Sequence, residues 1–148
     1  MNDFYTLLHT ALCATDPNEK CQQTVNLFER YISGSLKLQR HSAYEDVLVA
    51  GRPTRPQLVP HQLVPQRKPS SDEGYAAMLH AICHIEFNAI NLALDAAYRF
   101  RTLPEQFTAD WLQVAKEECE HFALMRARLQ AMGYDYGDFV AHGHLWDM

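Results

Sequence analysis

The hexapeptide EECEHF, residues 117–122, sets Glu118 three residues before His121, a spacing that puts a carboxylate and an imidazole on one face of a helix. The apolar stripe that would carry them reads Trp111, Val114, Glu118, His121, Met125, Leu129 and Met132, so both polar groups are expected among buried neighbours. A second carboxylate, Glu86, falls on a similar stripe of Leu79, Ile82, Ala89, Ala93, Ala97 and Phe100. An ionised carboxylate in apolar surroundings costs several kcal/mol unless it is paired or coordinated. No lysine or arginine shares either stripe, because Lys116, Arg126 and Arg128 take the outer face with Glu117 and Glu120. A metal ion is then the simplest counter-charge, and two carboxylates with an imidazole suit iron or manganese. The metal candidates are Glu86, Glu118 and His121. The competing reading has Glu118 and His121 hydrogen-bonding each other while Glu86 takes a water or a lysine.

Two long helices must bring these residues together. Ser70 and Glu73 have the spacing of a capping box, which predicts a helix running from about residue 71 to Phe100. The segment FRTLPEQF turns the chain, and a second helix is expected from about Pro104 to Met132, stopped by Gly133. So short a connection requires antiparallel neighbours. Glu86 lies 14 residues before Phe100 and Glu118 lies 12 after Gln106; at ~1.5 Å per residue these are roughly 21 and 18 Å from the turn, which predicts one common level.

Upstream, Phe4, Leu7, Leu8, Ala11 and Leu12 predict a first short helix. Asp16 and Pro17 open a second that turns Cys21, Val25, Phe28, Tyr31 and Ile32 inward and stops near Gly34. Five prolines in GRPTRPQLVPHQLVPQRKP exclude a regular helix there and predict an extended strap. The expected organisation is one all-α domain: N-terminal helices over 1–45, the strap over 46–70, the long helix pair over 71–133 and a tail over 134–148. No strand alternation and no internal repeat is evident.

With 148 residues, 47% of them apolar, the chain can bury a core. A net charge of −5 argues against a dedicated nucleic-acid binder. From Val47 to Pro69 the strap holds Arg52, Arg55, Arg67 and Lys68 with no acid, read as a solvated basic strip against an acidic body. Cys13, Cys21, Cys83 and Cys119 form no CxxC pair and read as reduced thiols of a cytoplasmic protein. There is no cationic leader, and no segment approaches the ~20 apolar residues of a membrane span. Among the other histidines, His80 and His84 share a line with Asn88, Asn91 and Asp95 and predict a solvated or inter-helix hydrogen-bonding polar face, with a second metal contact as the lesser alternative. His142 and His144 are assigned to the tail, and His9, His41 and His61 follow no pattern.

The segments GRPTRPQLVP, LVPQRKPSSDEGYAAMLHAICHIEFNAINLALDAAYRF and DWLQVAKEECEHFALMRARLQAMGYDYGDFVAHGHLW together resemble the ferritin-like family catalogued as domain of unknown function 455. The order of strap, HIE helix, E-x-x-H helix and YGD-x-x-AH-x-x-LW tail carries the resemblance, and His142 matches its AH. The resemblance implies a ferritin-like helical bundle with a di-metal centre, di-iron or iron/manganese. Such a bundle takes a Glu from each of two helices and a Glu-x-x-His from each of two others, whereas this chain holds half of that set. Family members continue past LW into two more helices; here the sequence stops at Trp146-Asp147-Met148. Either the chain is a fragment or decayed form, or the missing half comes from another copy; a homodimer would supply the complete ligand list. Two functions are therefore expected: an oxidase or hydroxylase of a small-molecule substrate that the sequence does not specify, or a catalytically silent helical interaction or structural protein that kept half of the site.

Overall fold

A computed structural model describes residues 3–39, 44–47 and 49–143. The protein is all-α, built from α1 (Phe4–Cys13), α2 (Pro17–Ile32), α3 (Asp72–Arg99) and α4 (Glu105–Ala131). The signals that begin and end these helices are local. Asp3 accepts the Thr6 N–H at 2.8 Å to cap α1, and Asp16 accepts the Glu19 N–H at 2.9 Å to cap α2, with Pro17 in its first turn. The cap of α3 is Ser71, whose hydroxyl accepts the Gly74 N–H at 2.9 Å, one residue later than the Ser70–Glu73 spacing predicts. Gly133, at φ +87, ends α4 in a left-handed conformation that costs glycine nothing. The long helices are antiparallel neighbours, as Phe100 meets Phe107 beside the turn and Phe87 meets Phe122 farther along.

The chain forms two compact units, and both long helices pass through each of them. The first unit comprises Met1–Pro53 and Ala89–Cys119. In it α1 and α2 pair, with Phe4 against Tyr31 at 5.5 Å between ring centroids. Lys20 is wholly buried and donates to the Ala11 and Leu12 carbonyls at 2.9 and 2.7 Å, satisfying acceptors that the end of α1 leaves open. Burial lowers the Lys20 pKa to about 8. The Leu12 carbonyl also accepts the Gly51 N–H at 2.9 Å, and a Cβ on Gly51 would run into the Cys13 carbonyl, so only glycine lets the strap come this close. Tyr98 fixes the chain ahead of the strap by accepting the Glu45 N–H and donating to the Glu45 carbonyl.

The second unit comprises Thr54–Asn88 and Glu120–Met148. Here the strap is extended except for a short 3-10 turn over His61–Leu63. Contrary to the strand-free expectation, β1 (Leu58–Val59) pairs in parallel with β2 (Ala141–His142), Leu58 opposite Ala141. The basic residues of the strap are not simply solvated: Arg55 lies 3.7 Å from Asp138 and Arg67 lies 3.8 Å from Glu73. Arg126 on α4 holds Asp135 at 2.8 Å and keeps its carboxyl below the usual range. Phe87, Phe122 and Tyr136 make an aromatic cluster, the last two meeting edge to face at 5.1 Å.

The four cysteines are free thiols; Cys83 and Cys119 are buried, Cys21 is half-buried and Cys13 is exposed. A hydrogen bond with Cys21, then burial, pushes the Cys119 thiol well up. By length and composition α3 could cross a membrane, and half of its most apolar window is buried by the chain itself. His144 and the Trp146-Asp147-Met148 end of the tail lie outside the described residues, as does His41.

Candidate metal centre

The buried faces of the long helices coincide only in part with the apolar stripes of the sequence: Leu79, Ala93, Ala97 and Leu129 are buried as expected. On α4 the buried line is Thr108, Leu112, Ala115, Cys119, Phe122 and Leu129, turned by one residue from Trp111, Val114, Glu118 and His121. On α3 it runs through Leu79, His80, Cys83, His84, Phe87 and Ile90 to Ala93, Leu94 and Ala97. Ile82 and Phe100 are exposed instead. A one-residue offset rotates a helix face by about 100°. Glu86 and Glu118 therefore sit half-buried at the edge of the packed face, and His121 is exposed rather than buried.

All three expected ligands nevertheless come together. One ligand atom from each of Glu86, Glu118 and His121 lies within 4.8 Å of the others. His121 Nδ1 is 3.8 Å from Glu86 Oε2, with the Glu86 side chain 22% exposed and that of His121 55% exposed. One carboxylate oxygen of Glu118, Oε2, is shielded from solvent. The convergence has two causes: Glu118 and His121 are a turn apart on one uninterrupted helix, and the antiparallel packing of α3 brings Glu86 to their level. Two carboxylates and an imidazole at this separation fit a hard or borderline divalent cation, whose bonds to such donors are about 2.0–2.2 Å.

His80 and His84, expected on a polar face, are 1% and 6% exposed. They hold the tail rather than facing water. His80 Nε2 accepts the Gly137 N–H at 3.0 Å, and its ring stacks on Tyr136. His84 Nδ1 is 2.9 Å from the Tyr136 hydroxyl, and its Nε2 is 3.2 Å from the His142 carbonyl. Both contacts are satisfied when Nε2 carries the proton and Nδ1 accepts from the hydroxyl. His142, which matches the AH motif, thus contributes its backbone to the fold and its ring to an edge contact with His61. Tyr136 and Gly137 went unnoticed as partners, although the YGD segment was the available signal; Gly137 has φ +106 and lies against Arg55.

Burial, then the neighbouring His84, lowers the His80 pKa to about 4. A histidine that is harder to protonate in the native state stabilises the fold above its unfolded pKa of about 6.5, and this contribution is lost as pH falls from there towards 4. Between those values this group is expected to remove up to about 1.4 kcal/mol of stability per pH unit. An imidazole titration followed by NMR tests the assignment. A His80 midpoint at or above about 6 would show that its acceptor role is not enforced.

The chain matches the sequence profile described as "Protein of unknown function (DUF455)" over residues 13–148. An uncharacterized protein of Haemophilus influenzae is 42% identical over 159 residues, an alignment that covers 100% of this chain and 55% of that protein. The chain thus spans about half the length of this curated relative. No solved structure matches it. A match over most of the sequence, together with a relative of this identity, places the chain in the family of proteins of unknown function designated DUF455.

Proposed function

We propose that this chain forms half of a ferritin-like di-metal carboxylate centre, with Glu86, Glu118 and His121 as the ligands and iron, or iron and manganese, as the metal. The observation that carries this reading is the approach of three ligand atoms to within 4.8 Å. Glu86 and Glu118 would neutralise the cation, and their half-buried placement strengthens that attraction relative to open water. His121 would bind as a neutral nitrogen donor, and its 55% exposure leaves that side of the site open to a substrate. The chemistry such a bound metal supplies is oxygen-dependent oxidation or hydroxylation of an organic molecule.

The remaining ligands would come from a second copy of the chain, its twofold axis near Glu86 and Glu118, or from the part of a longer protein that corresponds to the rest of the relative. Ile82 on α3 and Trp111 and Leu124 on α4 are exposed apolar residues, which supports a partner on these helices. Free thiols at all four cysteines support a cytoplasmic setting. The second reading, a catalytically silent interaction protein, draws support from the same exposure of His121 and from its contact with Glu86, which already pairs the two groups.

Elemental analysis and solution molar mass of the full chain, before and after anaerobic Fe(II) loading, separate the two. About two irons per dimer, with metal tightening the dimer, are expected for the metal centre. A chain that takes up no iron and stays at 17.0 kDa with and without Fe(II) would favour the silent protein or a piece of a longer one.

A further inference from the structure

Beside the histidines that hold the tail lies a cavity of about 390 Å³ within the second unit. Its volume is at the small end of the range for ligand sites, about 300–1,000 Å³. Val64, Met78 and Phe139 contribute apolar wall, and Arg67, His61, His80, His84 and His142 supply the polar groups. Among the described residues that line it there is no aspartate or glutamate. The one permanent charge on the wall is the Arg67 guanidinium, placed 5.1 Å from the centre of the Phe139 ring.

Arg67 is little engaged elsewhere. Its Nε is 3.8 Å from a carboxylate oxygen of Glu73, whose side chain is 62% exposed, a contact of the kind worth under about 1 kcal/mol. Its terminal nitrogens make no hydrogen bond to any described residue. A planar guanidinium with unused paired donors matches the two oxygens of a carboxylate. The imidazoles do not compete for this role, since His84 uses both ring nitrogens on Tyr136 and the tail and His80 is held neutral by burial.

We propose that this cavity binds a small organic monocarboxylate with an aromatic or branched apolar body, its carboxylate on Arg67 and its body against Val64, Met78 and Phe139. Apolar wall supplies most of the area in such a site, and one charged anchor fixes orientation. A neutral ligand of the same shape leaves the guanidinium donors unsatisfied once the cavity is filled, so the anion is preferred. The proposal is independent of the metal reading, because none of Glu86, Glu118 and His121 lines the cavity.

The test is calorimetric titration of the full chain, without added metal, using 2-naphthoate and its neutral amide as probes, with NMR of the amide groups to locate the site. Saturable binding of naphthoate is expected, at least tenfold tighter than the amide, with the largest shifts at Met78, His80 and Phe139. Arg67→Gln should weaken naphthoate at least tenfold and leave the amide unchanged. Ala81→Phe, which places a ring in the cavity from an exposed position on its wall, should weaken both probes at least tenfold. Should the Ala81 variant fail to fold, the shift map of the unsubstituted chain decides. No saturable binding, equal affinity for acid and amide, retention of binding in either variant, or shifts confined to other residues would each overturn the proposal.

Discussion

Replacing Glu118 by alanine is expected to weaken Fe(II) binding by roughly a hundredfold or more, beyond the loss usual for a residue that only supports a ligand. The metal-free protein should stay within about 1 kcal/mol of the unsubstituted chain. Glu86 and Glu118 bring two carboxylates within 4.8 Å of each other, and like charges at that distance repel unless a cation lies between them. His121 offsets part of this only when protonated, and it is 55% exposed, where such pairing is worth little. Without metal, the two carboxylates oppose each other, and removing one relieves that repulsion. Metal uptake by equilibrium dialysis and denaturant midpoints in chelator measure the two quantities. A loss of about 3 kcal/mol or more in the chelated variant would show that Glu118 belongs to a satisfied structural pair.

Phe122→Ala is expected to cost about 3–5 kcal/mol, which is a large part of the stability of an ordinary domain. Phe122 is 1% exposed, and its ring meets Phe87 at 5.7 Å and Tyr136 at 5.1 Å. Truncation would empty the middle of this cluster and remove the surface on which α3 and the tail segment rest against α4. The effect should reach the Glu86, Glu118 and His121 cluster as well, because Phe122 follows His121 directly and its carbonyl accepts from the Cys83 thiol of α3. Chemical denaturation at constant pH provides the measurement. A midpoint change equivalent to less than about 1 kcal/mol would mean that the aromatic cluster is not packed as these distances imply.

Helix existence and extent were legible because their signals are short-range. Asp3, Asp16 with Pro17, and Gly133 act within a turn of the ends they set, and a prediction of residue 71 to Phe100 meets an observed Asp72–Arg99. The gathering of Glu86, Glu118 and His121 was legible for a related reason: helix rise and a short antiparallel turn set depth, whichever way the faces rotate. The Ser71 cap was misplaced by one residue because two adjacent serines offer the same hydroxyl.

The sequence by itself determined the four helices, the proline-rich strap and the common level of Glu86, Glu118 and His121, all consequences of local geometry and chain connectivity. Only the tertiary structure decided how far each helix face is turned, and on three helices the buried face departs from the apolar stripe. Apolarity pointed to Ile32 on α2, Ile82 on α3 and Trp111 on α4, yet these are 64%, 36% and 36% exposed. The buried lines instead carry Lys20 and Thr24, His80, His84 and Asn91, and Thr108. A polar side chain can be buried only if its hydrogen bonds are met inside. Several of the partners here are contributed by segments remote in sequence, as with the Gly137 N–H for His80 and the Gly51 carbonyl for Asn91. No pattern read along one helix contains those partners, so the rotation that moves Glu86 and Glu118 to a half-buried edge and His121 into solvent is a property of the fold alone.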